Sequence, residues 1–250
     1  MTLTHSPSLR TLVEGAQRLG IPLSPQQEEA FRLYWDLLRR WNSRVNLTSA
    51  RALERAETVH FLDSLTLAPA LPPAVRLGGR VVDVGSGAGF PGIPLAIALP
   101  DLRVALVEAV GKKVAFLEAC VEALGLHPRV EVLPGRAEDL AHRPGLREAF
   151  AVGAARALGP LAVALELVLP FVQVGGMALF PKSGDISGEV GEALAAARAL
   201  GGGSPMVLPV PPTLLGPGRV IVAVPKKGGT PPRYPRRAGI PAKRPLGGRR

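Results

Sequence analysis

Apolar positions over the first 75 residues recur at helical spacing. Ser24 stands before Pro25, with Gln27 three places on, a capping box that opens a helix. Phe31, Tyr34, Trp35, Leu38 and Trp41 follow at three- and four-residue intervals, which predicts a core-facing stripe. Arg39, Arg40 and Arg44 give the same helix a basic side. After the polar loop NSRVNLTS, a second helix is predicted over 51–70, ending at Leu71-Pro72-Pro73.

From Arg80 the period changes. Short apolar runs at RVVDV, RVALVE, VEVLP, AVGAARA and GGMALFP alternate with helical stretches over 93–99, 112–124, from Pro160, and over 189–200. Strands alternating with helices imply right-handed crossovers and a parallel sheet. MVLPV and RVIVAVP break the alternation, because only a Pro/Gly-rich loop joins them. They should pair as an antiparallel hairpin. The predicted fold is therefore α/β and Rossmann-like, with a seven-stranded, mostly parallel sheet, a helical N-terminal part and that C-terminal hairpin.

Charge divides the chain further. Of 30 basic residues, nine fall in 225–250, which hold no acid, leaving 21 cations against 20 acids elsewhere. These nine are Lys226, Lys227, Arg233, Arg236, Arg237, Lys243, Arg244, Arg249 and Arg250. The segment is also rich in Pro and Gly, a composition that predicts extended or disordered chain. Three regions follow: a helical part at 1–75, an α/β domain at 76–225 and a basic tail at 226–250. No apolar run reaches membrane-spanning length, and MTLTHSPSLR lacks the apolar core of a signal peptide. A single cysteine builds neither a disulfide nor a thiolate metal site. The expectation is a cytoplasmic protein without metal, and nothing in the sequence asks for an obligate oligomer.

The candidate chemistry begins at DVGSGAGFP. Gly85, Gly87 and Gly89 lie between the first strand and its helix, where a glycine turn lets a ligand approach the backbone. Glu108 ends the next strand, placed to accept hydrogen bonds from ribose hydroxyls. A dinucleotide fingerprint needs Gly or Ala at its sixth position, facing a pyrophosphate, but Phe90 stands there. The spacing instead suits S-adenosylmethionine, which has no phosphate.

The ordered set NLTS, HFLDSL, DVGSGAGFPGIPLAI, LVEAVGKKVAFL, PGRAEDL, AARAL and GIPAKRPL resembles the bacterial 16S ribosomal RNA 7-methylguanosine methyltransferase family, also called the glucose-inhibited division protein B family. The resemblance runs from about Trp41 to Leu246. It implies methyl transfer from S-adenosylmethionine to N7 of one guanine in the 530 loop of small-subunit rRNA. By motif, Gly85, Gly87 and Phe90 would meet the cofactor, Glu108 would hold its ribose beside Ala109 and Val110, and Ala137 and Glu138 would lie at the adenine. Arg156 would face the methionine end and the target base. The implied partner is 16S rRNA in the small subunit. The alternative is a methyltransferase acting on another RNA or on a small molecule.

Guanine N7 carries an in-plane lone pair and no proton, so its methylation needs alignment rather than a general base; alignment is worth roughly 7–11 kcal/mol. Cys120, at helical spacing from Leu117 and Leu124, reads as core rather than as the nucleophile that pyrimidine C5 methylation requires. Arg156 and Asn46 are the catalytic candidates, both as positioning groups. For Arg156 the other reading is a plain salt bridge; for Asn46 it is an Asx turn. His60 and Asp63, at i and i+3, either line the base pocket or lock the helical part onto the sheet. Arg136 and Lys182 at strand ends, with Arg236, Arg237, Lys243 and Arg244 in the tail, are the candidates for RNA phosphate. Lys112 and Lys113 open a helix against the dipole preference, a further hint of ligand contact.

Overall fold

The computed structural model describes residues 8–247. Arg249 and Arg250 of the basic tail, and the start of the segment read for a signal peptide, lie outside them. Seven strands form one sheet in the order β3-β2-β1-β4-β5-β7-β6. They are β1 (Arg80–Val84), β2 (Arg103–Glu108), β3 (Val130–Pro134), β4 (Phe150–Ala154), β5 (Val172–Ser183), β6 (Met206–Pro209) and β7 (Arg219–Pro225). β1 to β5 pair in parallel, and β7 inserts antiparallel between β5 and β6. The predicted sheet and its closing hairpin are both present. The strand order reverses between β1 and β4, and the crevice at such a reversal is where open α/β sheets bind ligands.

The helix Pro25–Val45 opens with the expected capping box: Ser24 Oγ accepts from the Gln27 amide, and the Gln27 side chain accepts from the Ser24 amide at 2.8 Å. Its stripe buries Phe31, Tyr34, Trp35 and Leu38. Phe61 is the hub, with ring centroids 5.3 Å from both Phe31 and Tyr34 and 5.9 Å from Trp35. Each such ring, fully buried, contributes about 1.5–3 kcal/mol. This cluster is continuous with the helix Gly92–Ala98 and one face of the sheet. The opposite face carries the helices Leu161–Val168 and Ser187–Ala199.

Two expectations need correction. The stretch 51–70 is not one helix. It divides into Ala50–Glu54, a π-helical turn at Glu57–Leu62, a short α turn and a 3₁₀ turn at Ala68–Ala70. Ser64 Oγ donates to the His60 carbonyl and Thr66 Oγ1 to that of Asp63, both at 2.6 Å. Side-chain hydroxyls that compete for helix carbonyls favour such departures.

The segment after Pro225 is not a loose tail either. Lys226, Thr230, Tyr234 and Pro235 are buried, and Leu246 packs on the core. The composition was misleading because polar anchors add to the little apolar area that this segment buries. Arg147 donates to the carbonyls of Thr230, Pro231 and Tyr234 at 2.7, 3.2 and 2.9 Å. His142 Nε2 donates to the Pro235 carbonyl at 2.9 Å. Lys226 Nζ donates to the Leu169 carbonyl at 2.8 Å, to Thr230 Oγ1 and to Glu148 at 3.1 Å. Among the described residues no helix is long and apolar enough to cross a membrane.

Candidate active site

A cavity of about 390 Å³ opens beyond the carboxyl ends of β1 to β4. Val84 and Gly85 come from the end of β1, Glu108, Ala109 and Val110 from that of β2, and Gly135 to Glu138 follow β3. Ala157 and Leu158 after β4, with Val163 and Leu167 of the next helix, supply an apolar wall. A roomier hollow of about 500 Å³ lies among Arg80, Arg103 and Arg129 at the strand starts, the end where such sheets do not hold their ligands.

Backbone geometry shapes the first turn. Gly85 has φ +71°, and a Cβ there would meet Leu158 Cδ1 at 2.6 Å. A Cβ on Gly92 would meet Leu106 Cδ2 at 2.4 Å, so the glycine lets its helix seat close against β2 without displacing that side chain. Asp83, fully buried at the end of β1, accepts from the Gly92 amide through Oδ2 at 3.0 Å. Its Oδ1 has no partner among the described residues. Burial pushes this carboxyl up to about 7, against the pull of the Gly92 amide.

Glu108 is buried and held at both oxygens. Oε2 accepts from the Gly87 amide and Oε1 from the Val110 amide, each at 2.8 Å. Each oxygen keeps a lone pair for a ligand hydroxyl. Glu138 is also buried, and its Oε1 accepts from the Gly239 amide at 3.2 Å.

Next to the cavity lies a polar knot. Arg156 Nη1 donates to the Val59 carbonyl at 3.0 Å and to Asp63 Oδ2 at 3.1 Å. Its Nη2 donates to His60 Nδ1 at 2.8 Å. Because guanidinium only donates, that ring nitrogen is an acceptor; the proton sits on Nε2, which donates to Thr48 Oγ1 at 2.8 Å. Burial, then the Arg156 charge, pulls the imidazole down to about 3, so it is neutral. The His60 ring stacks on Phe90 at 4.4 Å, and the Arg156 guanidinium lies 4.8 Å from the same ring. Asp63 Oδ1 also meets Arg219 of β7 at 3.2 Å.

These positions sort the candidates. Gly85, Glu108, Ala109, Val110, Arg136, Ala137 and Glu138 line the cavity together. Gly87 reaches it through the Glu108 hydrogen bond, while Phe90 lies under His60 and Arg156. Arg156 is not among the lining residues: its guanidinium is held beside the cavity by Asp63, His60 and the Val59 carbonyl, in line with the salt-bridge reading. Asn46, exposed at φ +52°, caps the helix Pro25–Val45 and also lies off the cavity. Arg236 is paired with buried Glu166, its Nη2 2.6 Å from Oε2, and Lys182 with Glu189 at 2.7 Å, so neither is a free phosphate grip. Arg237, Lys243 and Arg244 are exposed. Sequence reasoning missed Leu158, Gly239 and Ala242 in the lining. Leu158 closes AARAL, and Gly239 and Ala242 belong to GIPAKRPL, but neither motif assigns these three a role, and the composition around the last two reads as disorder.

Residues 27–205 match the family described as rRNA small subunit methyltransferase G, or GidB. The chain is 42% identical over 238 residues to a protein of that name from Dehalococcoides mccartyi, covering 95% of this chain and 100% of the relative. The namesake from Roseiflexus sp. RS-1 is 44% identical over 238 residues, covering 94% and 98%. The fold resembles a geranyl diphosphate methyltransferase solved with S-adenosylmethionine, at TM-score 0.52, 16% identity, and coverage of 70% of this chain and 87% of that one. It equally resembles the cyclase SpnF, at TM-score 0.52, 19% identity, and coverage of 84% and 99%. A fold shared with a cyclase does not select a reaction.

Proposed function

The chain belongs to the GidB family of small-subunit ribosomal RNA methyltransferases, and from that membership we propose that it transfers a methyl group from S-adenosylmethionine to N7 of a guanine in the 530 loop of 16S rRNA. The observation that carries the cofactor reading is the pair of loops joined by Glu108. A carboxylate already fixed by two amides presents its remaining lone pairs to vicinal ribose hydroxyls. The apolar wall of Val84, Leu158, Val163 and Leu167 suits an adenine ring and asks for no phosphate contact. The donor set and the cavity therefore fit the cofactor, which when bound supplies an electrophilic sulfonium methyl.

The protein's own part is to bind, align and keep water out. Guanine N7 needs no proton removed. The titratable groups beside the cavity match that demand. His60 is held neutral and spends both ring nitrogens on Arg156 and Thr48. Cys120 is buried in the core and burial pushes its thiol up, which leaves it no role as a nucleophile. Arg156 acts as a positioning residue: by gripping His60 and Asp63 it sets the helical part against the mouth of the crevice. Arg136, exposed at the rim, and Lys113 both line the cavity and are the cations there that can meet a phosphate.

The test is methylation of 16S rRNA with labelled cofactor, followed by mass-spectrometric mapping. One methyl on a 530-loop guanine, located by N7-specific strand scission at that nucleotide, is expected. Glu108→Ala should weaken cofactor binding about tenfold or more in calorimetry, the scale of losing charge-assisted hydrogen bonds. Label found on an exocyclic amine or on a pyrimidine would overturn the N7 reading.

A further inference from the structure

Resting on the reading that the crevice holds S-adenosylmethionine, we propose that the C-terminal segment is itself a wall of that site, its turn at Gly239–Ala242 closing the side beyond the ribose acid. Gly239 and Ala242 line the cavity together with Glu138, Val163 and Leu167. The Gly239 amide donates to Glu138, which follows β3. The one-turn helix Ile240–Lys243 packs against Leu161–Val168, the helix that supplies the apolar wall.

What holds the turn there is a latch. Glu166 is fully buried on that helix, and Arg236 meets it three times: amide to Oε1 at 2.9 Å, Nε to Oε1 at 2.8 Å, and Nη2 to Oε2 at 2.6 Å. The same Nη2 donates to the Arg244 carbonyl at 2.7 Å, closing the loop 236–244 on itself. Prolines at 231, 232, 235, 241 and 245 preset the backbone, so ordering the segment costs less entropy than its glycines suggest. A surface that exists only while this segment is seated makes cofactor affinity depend on the seated fraction.

The test uses the full-length protein. Ala242 is exposed on the cavity side, so Ala242→Trp fills the mouth without disturbing the core. Calorimetry should give an S-adenosylmethionine Kd weakened about fivefold or more, and hydrogen exchange on the wild type should show the amides of 239, 240, 242 and 243 protected on cofactor addition. A smaller change in Kd, or exchange in 239–243 indifferent to cofactor, would each overturn the proposal. If Ala242→Trp does not fold, the wild-type exchange result decides alone. Wild-type protein that binds no S-adenosylmethionine would sink the cofactor reading itself; a wild type that binds, with these residues indifferent, would sink only the wall.

Discussion

Two arginines tie two appendages to one sheet, and they face unequal company. Arg156, after β4, holds the N-terminal helical part through Asp63, His60 and the Val59 carbonyl. Its carboxylate has a second cation, since Asp63 also meets Arg219. Arg236, in the C-terminal segment, holds Glu166, which is fully buried and pairs with no other cation among the described residues. The first attachment is shared and the second is singular. Removing one partner of a buried pair leaves the other charged and desolvated, and that residue of charge, more than the lost contact, sets the cost.

The sharpest break of this comparison is Arg236→Ala. It should destabilise the protein by about 3–5 kcal/mol in chemical denaturation, the usual range when a buried acid loses its partner. Replacing Glu166 by Gln in the same chain should recover much of that loss. Arg156→Ala should cost less, about 1–3 kcal/mol, because Asp63 keeps Arg219. Equal losses in the two variants would mean that redundancy at Asp63 confers nothing.

The attachments also differ in titration. His60 sits in the first, and its imidazole, ordinarily near 6.5, is pulled down to about 3 when folded. The unfolded chain therefore binds the extra proton first. The stability this neutral ring contributes is present above pH 6.5 and is lost as pH falls toward 3. One unit below 6.5 the loss is about 1.4 kcal/mol. His60→Gln should flatten this part of a plot of melting temperature against pH.

The two attachments were not equally legible. Ser24 and Gln27, three apart, gave away the capping box, and His60 and Asp63, three apart, read as one helical face with a lock as one possible role. Local spacing carried both signals, and the alternating strands carried the sheet. The π turn that carries His60 depends on hydroxyls gripping carbonyls, which apolar periodicity does not register. Glu166 and Arg236 are 70 positions apart, and nothing in either neighbourhood names the other. Charge and proline content described 226–250 as solvated chain because composition counts apolar area and is blind to a carbonyl met by Arg147. Gly85 and Glu108 were found through the turn they serve, whereas Gly239 and Ala242 reach the same cavity through a fold-back that their motif, GIPAKRPL, does not disclose.

Glu108 has a further bearing on how the crevice works. Its side chain is tethered at both ends of the carboxylate before any sugar arrives, one tether on each of two loops. The rotamer freedom of that acid was surrendered when the chain folded, so docking need not freeze it again. A single carboxylate thus fixes the gap between neighbouring loops in advance, and the incoming nucleoside meets a gauge already set to its width.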